Sequence, residues 1–203
     1  MDTLIFTIIS EMERKLPFYI KSIGVRERQE HILRPAGYPD YHYLHCSEGR
    51  GKLLIQGKEF DIDQNAGFFF QPGIPHEYYA VAEPWKTYFV TFDGYAVKEL
   101  METIFPKDWY VFYFTGRKIL EKHLDDVCKS ASLEDHFNSH RSSVLLYEFM
   151  ILLKEHLRDD SSQIGSSLKS QLQMVIQFIE KHYGRNVSLE EMSAVINVSP
   201  QHL

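Results

Sequence analysis

Between Pro17 and Phe92 the chain runs as short segments rich in Tyr, Phe, Ile and Val, broken about every eight to twelve residues by Gly, Pro, Asp or Asn. That spacing is the signature of an all-β barrel or sandwich. The clearest segments are Phe18–Ile23, Tyr41–Cys46, Lys52–Gln56, Glu59–Ile62, Phe68–Gln71, Glu77–Val81 and Trp85–Phe92. Gly49-Arg50-Gly51 and Gln56-Gly57-Lys58 supply residues that tolerate positive φ, as tight hairpins require, and Pro72-Gly73-Ile74-Pro75 cannot continue a central strand.

After Asp93 the apolar period lengthens from two to nearly four. Tyr95–Ile104 reads as a short helix ended by Pro106, and Trp109–Phe114 as one more strand closed by Gly116. Two longer helices are predicted over about Lys118–Lys129 and Leu133–Leu157. In the second, Val144, Glu148 and Ile151 share a face, with Leu145, Phe149 and Leu152 beside them. So wide a stripe predicts burial on two sides, and Val144, Glu148, Ile151 and Leu152 are the expected contacts of a homodimer. Arg158–Ser167 has linker composition.

Composition removes several classes of protein. With 44% hydrophobic and 25% charged residues among 203, the chain is neither disordered nor fibrous. The apolar run Leu4–Ile9 is too short to span a bilayer and lacks a basic leader, so no membrane partner is expected. A net charge of -6 argues against a broadly nucleic-acid-coating surface. Cys46 and Cys128 have neither metal-ligand spacing nor a disulfide framework, which fits a reducing, cytoplasmic location.

The last 35 residues are the most specific. Leu168, Leu172, Val175, Ile176, Ile179 and Tyr183 recur at helical spacing up to Gly184. Ser188-Leu189-Glu190-Glu191 is a capping box that starts a second helix, which lasts to about Ile196. Asn197 tolerates the left-handed conformation, and Ser199-Pro200 is an N-cap followed by a first-turn proline. A short helix, a tight turn and a new helix make a helix-turn-helix.

Val187–Leu203 closely resembles the start of the first helix-turn-helix of the AraC family of bacterial transcription regulators. The upstream half resembles that family's sensor domain, a cupin-like barrel, through Arg34-Pro35, Gly49-Arg50-Gly51, Gly67, Pro72-Gly73-Ile74-Pro75-His76, Trp85 and Phe92-Asp93-Gly94. Gln64-Asn65-Ala66 departs from the Gly-Asp turn that members usually carry there. The resemblance implies an α+β chain: an arm (1–16), a cupin-like antiparallel β-barrel with one inserted short helix (17–114), a helical dimerisation region (115–158), a linker (159–167) and a truncated helix-turn-helix (168–203). Members carry two helix-turn-helix units, so the chain is expected to stop four residues into the first recognition helix. Ser199, Gln201 and His202 would then be the start of a DNA-reading surface that works only in the complete C-terminal domain. In the same family the arm can fold over bound ligand.

A sugar-sized effector needs a concave, mostly apolar cavity with a few fixed polar groups. Alternation puts Trp85, Thr87 and Phe89 on one strand face and Tyr88, Val90 and Phe92 on the other, and the resemblance places the first set inside the barrel. Tyr41, Tyr43 and His45 share a face likewise, as do His76 and Tyr78. Arg34 matches an arginine that binds ligand hydroxyls in sugar-responsive relatives, although it could instead pair with Glu30 or Asp40. The expected ligand-binding set is therefore Arg34, Tyr43, His45, His76, Tyr78, Trp85, Thr87 and Phe89, for a small-molecule effector of carbohydrate type. Two other functions compete: a metal-dependent cupin enzyme, and a dimerisation module with an empty barrel. Of the metal-ligand candidates, His42 and His45 fall on opposite faces, leaving His45 and His76 inward, too few for a metal. No nucleophile elbow, phosphate loop or paired-carboxylate signature occurs, so no catalysis, metal or cofactor is expected.

Overall fold

A computed structural model describes residues 2–158 except 65, 115, 134 and 135, and, further on, residues 175, 178, 179, 182, 184, 187–196 and 198–200. The chain divides into two compact units, Met1–Arg158 and Asp159–Leu203.

The first unit is a nine-stranded sheet with helices after it. Its strands are β1 (Thr3–Phe6), β2 (Tyr19–Arg26), β3 (Ile32–Arg34), β4 (Tyr41–Ile55), β5 (Lys58–Ile62), β6 (Ala66–Phe70), β7 (His76–Asp93), β8 (Trp109–Phe114) and β9 (Leu157–Arg158). Its helices are α1 (Val97–Ile104), α2 (Arg117–Ala131) and α3 (His136–His156). All pairings are antiparallel, in the order β1-β2-β7-β4-β6-β8-β9, with β3 on β7 and β5 on β4. The long strands β4 and β7 change partners halfway along: β7 pairs β3 near His76 and β2 beyond Arg26↔Thr87, while β4 pairs β6 at one end and β5 at the other. This exchange folds the sheet around an interior and gives the cupin-like barrel.

Gly49-Arg50-Gly51, expected as a hairpin turn, instead lies inside the single strand β4. The ladder to β7 slips at Cys46/Glu48, Glu48/Arg50 and Arg50/Gly51, so the glycines bend the strand rather than reverse it. A Cβ on Gly49 would lie 2.0 Å from the Pro84 carbonyl oxygen, and one on Gly51 would lie 2.3 Å from the Trp85 ring. Glu77–Val81 and Trp85–Phe92 likewise merge into β7. Three strands went unforeseen: the three-residue β3, the two-residue β9 where a helix end and linker were expected, and β1 in the arm, which pairs with β2 from Thr3↔Val25 to Phe6↔Ser22.

The two faces of the sheet bury separate cores. Leu44, Cys46, Leu53, Ile55, Ile62, Phe68, Phe70, Tyr78, Trp85 and Phe89 fill the barrel interior. Tyr43, Phe69, Val90 and Phe92 pack outward with Met101, Leu124 and Phe149 of the helices. All three phenylalanines of β6 are buried because that strand is covered on both faces. On α3, Leu146, Phe149, Met150 and Leu153 make the i, i+3, i+4, i+7 stripe that seats the helix. Of the expected dimer contacts, Val144 and Glu148 are exposed on the far face, and Ile151 and Leu152 are half-buried. Leu152 packs against the helix-side core.

In the second unit, α4 (Leu189–Val195) starts at the capping box. The Ser188 hydroxyl accepts the Glu191 N–H at 3.2 Å, and the Ser188 N–H donates to Glu191 Oε2 at 3.0 Å. Ser199 is exposed, whereas Gln201 and His202 lie outside the described residues.

Candidate functional site

The register between β4 and β7 decides which side chains enter the barrel. Residues directly opposite in an antiparallel pair share a face. His42 is opposite Thr91, Leu44 opposite Phe89 and Cys46 opposite Thr87, so this set faces the interior. Tyr43 is opposite Val90 and His45 opposite Tyr88, which turns both toward the helices. The expectation for Tyr43 and His45 is thereby corrected, since neither reaches the interior. Their role is to join the sheet to the helices. The His45 ring stacks on Tyr88 with centroids 5.1 Å apart, and its nitrogens meet the Tyr43 hydroxyl at 3.1 Å and Glu121 Oε1 of α2 at 3.4 Å. Tyr43 stands edge-on to Phe149 of α3 at 4.9 Å. Burial pushes the His45 pKa down despite the attraction of Glu121.

The same register brings in His42, which the sequence had placed on the outward face, opposite His45. Its ring lies 6.2 Å from His76 and 6.3 Å from Tyr78 and meets Phe68 and Phe70 edge-on. His76 stacks on Phe70 at 4.3 Å and on Tyr78 at 5.8 Å. Arg34, on β3, is paired with His76 across the ladder, and its guanidinium sits over the Tyr38 ring at 4.2 Å. Asp40, one partner considered for Arg34, is bridged instead by Lys21. Arg34 forms no ion pair with a carboxylate among the described residues.

Burial, with His76 and Arg34 adding repulsion, lowers the His42 pKa to about 3. Burial also lowers that of His76, helped by Arg34 and opposed by a hydrogen bond to the Ile74 carbonyl. Both rings are therefore neutral near neutral pH, leaving the Arg34 guanidinium as the charge beside them. In neutral His76 the Nδ1–H donates to Ile74 O at 2.7 Å, so Nε2 carries a free lone pair. Among the described residues, four buried side-chain atoms have no protein hydrogen-bond partner: Arg34 Nε, His42 Nδ1, His76 Nε2 and Trp85 Nε1. Native interiors rarely leave such atoms unmatched.

A cavity of about 100 Å³ opens beside this cluster, lined among others by Arg34, Tyr38, His42, Tyr78, Phe89 and, at its mouth, Phe6 of the arm. It is smaller than the ~300–1,000 Å³ usual for ligand pockets. Three expected residues, His76, Trp85 and Thr87, point inward but are not among the residues that line the cavity. Trp85 is edge-on to Tyr78 at 6.2 Å. The Thr87 hydroxyl donates to Gln29 Oε1 at 2.8 Å, and Gln29 lines the cavity. No group of three or more His, Cys, Asp or Glu converges as a metal site among the described residues. Nor is any described helix long and apolar enough to cross a membrane.

Comparison with known proteins places this architecture. The profile of the AraC-like ligand binding domain family matches residues 19–150. The lactose operon transcription activator of Staphylococcus xylosus is 19% identical over 160 residues, covering 77% of this chain and 57% of that protein. The chain thus spans little more than half the length of that relative. ToxT from Vibrio cholerae superposes with a TM-score of 0.40 at 10% identity, over 98% of this chain and 71% of that one. A cupin superfamily protein from Desulfitobacterium hafniense superposes with a TM-score of 0.32 at 10% identity, over 45% of this chain and 76% of that one. The family match extends over well more than half of the residues, and the chain belongs to the AraC-like ligand binding domain family.

Proposed function

We propose that the chain is the effector-sensing portion of an AraC-type transcription regulator and that its barrel binds a small neutral or weakly acidic carbohydrate. The observation that carries this is that Arg34 Nε and His42 Nδ1, of residues lining the cavity, and Nε2 of the neighbouring His76 are buried and without protein partners. Arg34 donates and His76 Nε2 accepts, a pairing that suits a hydroxyl group, which does both. Phe89 and Tyr38 offer faces for C–H surface. The cavity admits a sugar only when Phe6 and the arm strand move, so ligand entry and arm position are linked. The name of the Staphylococcus xylosus relative supports a carbohydrate effector and control of carbohydrate-use genes.

Val144, Glu148, Ile151 and Leu152 on α3 are the proposed homodimer contacts. DNA is bound through a complete C-terminal domain, in which Ser199, Gln201 and His202 begin the reading helix. Effector alters regulation by binding one arrangement of barrel and helices more tightly than another. A metal-dependent enzyme is less well supported, because His42 and His76 give two ligands and the adjacent Arg34 charge opposes a divalent cation. The experiment is a thermal-shift screen with mono- and disaccharides and divalent metals, followed by calorimetry of the best ligand with Arg34→Ala. Losing a charged hydrogen bond should weaken binding about ten- to a hundredfold. Stabilisation by metals alone, or unchanged affinity in the variant, would refute the proposal.

A further inference from the structure

A second cavity lies outside the barrel interior. It lies where the arm crosses β2 and the junction of α2 and α3, with a volume of about 450 Å³, inside the ~300–1,000 Å³ range of small-molecule sites. Its walls fall into two chemical zones. Ile5 and Leu16 of the arm, Ile20 of β2, and Ala131 and Leu133 at the end of α2 form an apolar trough. Around its mouth Phe6, Ile8 and Leu133 are 71%, 78% and 57% exposed, an apolar rim that water covers at a cost.

The other zone is made of hydroxyls and one carboxylate. Ser130 and Ser142 are buried, and the Ser142 hydroxyl donates to Ser130 Oγ at 3.0 Å, which in turn donates to the Asn138 carbonyl at 3.3 Å. With its proton committed, the Ser142 oxygen can still accept. Glu13 takes hydrogen bonds from the Ser10 hydroxyl and backbone N–H and from the Ser139 hydroxyl at 2.9 Å. Those bonds, led by the Ser10 hydroxyl, hold its carboxyl down at about 2, so it stays ionised. No Lys, Arg or His is among the described lining residues. The site therefore presents acceptors and one negative charge, the reverse of the Arg34 environment in the barrel.

We infer that this cleft is a second small-molecule site, distinct from the barrel interior, for a neutral amphiphile with an apolar body and a donating hydroxyl head. The apolar body lies on Ile5, Leu16, Ile20 and Leu133, and the hydroxyl donates to Ser142 Oγ or to Glu13. A carboxylate on the same carbon frame is rejected, because it brings a negative charge to Glu13 with no cation among the described lining residues to meet it. Phe6 lines both this cleft and the barrel cavity, so the two sites share a wall.

Cyclohexylmethanol and cyclohexanecarboxylate are the matched probes, titrated into methyl-labelled protein. The alcohol should produce saturating shifts at the methyls of Ile5, Leu16, Ile20 and Leu133, and the carboxylate should bind at least about tenfold more weakly. Ser142→Ala should weaken the alcohol about two- to tenfold while leaving the spectrum folded. Ala131→Leu, which fills the trough, should abolish the site-specific shifts. The inference is overturned if the alcohol gives no saturable shift at these methyls, if the two probes bind equally, or if both variants keep the parental affinity.

Discussion

His42 is buried among Phe68, Phe70, His76 and Tyr78, and its pKa falls from 6.5 to about 3 on folding. In the unfolded chain the ring takes up a proton as pH drops through 6.5, whereas in the folded protein it stays neutral down to about 3. The unfolded state therefore binds more protons throughout that window. The associated stability is complete above pH 6.5 and is lost as pH falls toward 3, with a slope of about 1.4 kcal/mol per pH unit. Over the step from about pH 6.5 to about pH 5 the loss is on the order of 2 kcal/mol from this group alone. His45 and His76 act in the same direction, so the clean quantity is a difference. His42→Phe removes the titration, and the parent should lose on the order of 2 kcal/mol of unfolding free energy relative to the variant between about pH 7 and pH 5. Urea unfolding followed by tryptophan fluorescence and circular dichroism measures it. A constant offset from packing does not matter, because only the change with pH is read. Parallel pH profiles for the two proteins would mean that His42 is solvated and charged in the folded state, and its burial among these rings would be wrong.

Three further outcomes are expected. Gly51→Ala, whose Cβ would lie 2.3 Å from the Trp85 ring, should cost about 1–3 kcal/mol and lower the Tm; an unchanged Tm would show that Trp85 yields freely. Val144→Glu, on the exposed face of α3, should convert a dimer to a monomer in sedimentation without loss of helicity, whereas Leu152→Glu should unfold the protein because Leu152 packs on the core; a monomeric parent protein at high concentration contradicts the dimer proposal. Ser188→Ala should destabilise α4 by about 1 kcal/mol, read as faster amide exchange at Glu191 with the first unit unaffected, and unchanged exchange there would show the cap to be ineffective.

How far the fold could be read from sequence follows from which signals are local. The Ser188–Glu191 box depends on an i to i+3 relation and is found as drawn. The alternation of Trp85, Thr87 and Phe89 against Tyr88, Val90 and Phe92 is likewise internal to one strand, and the two cores separate along it. Which face of β4 joins which face of β7 is not local. It depends on register, and a shift of one residue exchanges every side chain, which is why His45 was expected inside and His42 outside. Gly49 and Gly51 signal positive φ and close backbone approach, conditions shared by a turn and a bulge, and only the Pro84 and Trp85 contacts distinguish them. On α3 the apolar stripe is broad enough that Val144 and Phe149 both looked like packing positions, and burial alone shows that Phe149 seats the helix. The arm strand β1 has too little pattern in four residues to stand out before its partner β2 is known.

The most direct test that the barrel interior is the effector site is a long-range proton–nitrogen spectrum of the histidine rings, recorded while titrating the carbohydrate that best stabilises the protein. Ligand between Arg34 and the two inward imidazoles should shift the His42 and His76 ring nitrogens, with saturation matching the calorimetric affinity, and leave His45 in place behind Tyr88 on the helix side. Binding that moves His45 while His42 and His76 stay fixed would put the effector outside the barrel and contradict the proposed site.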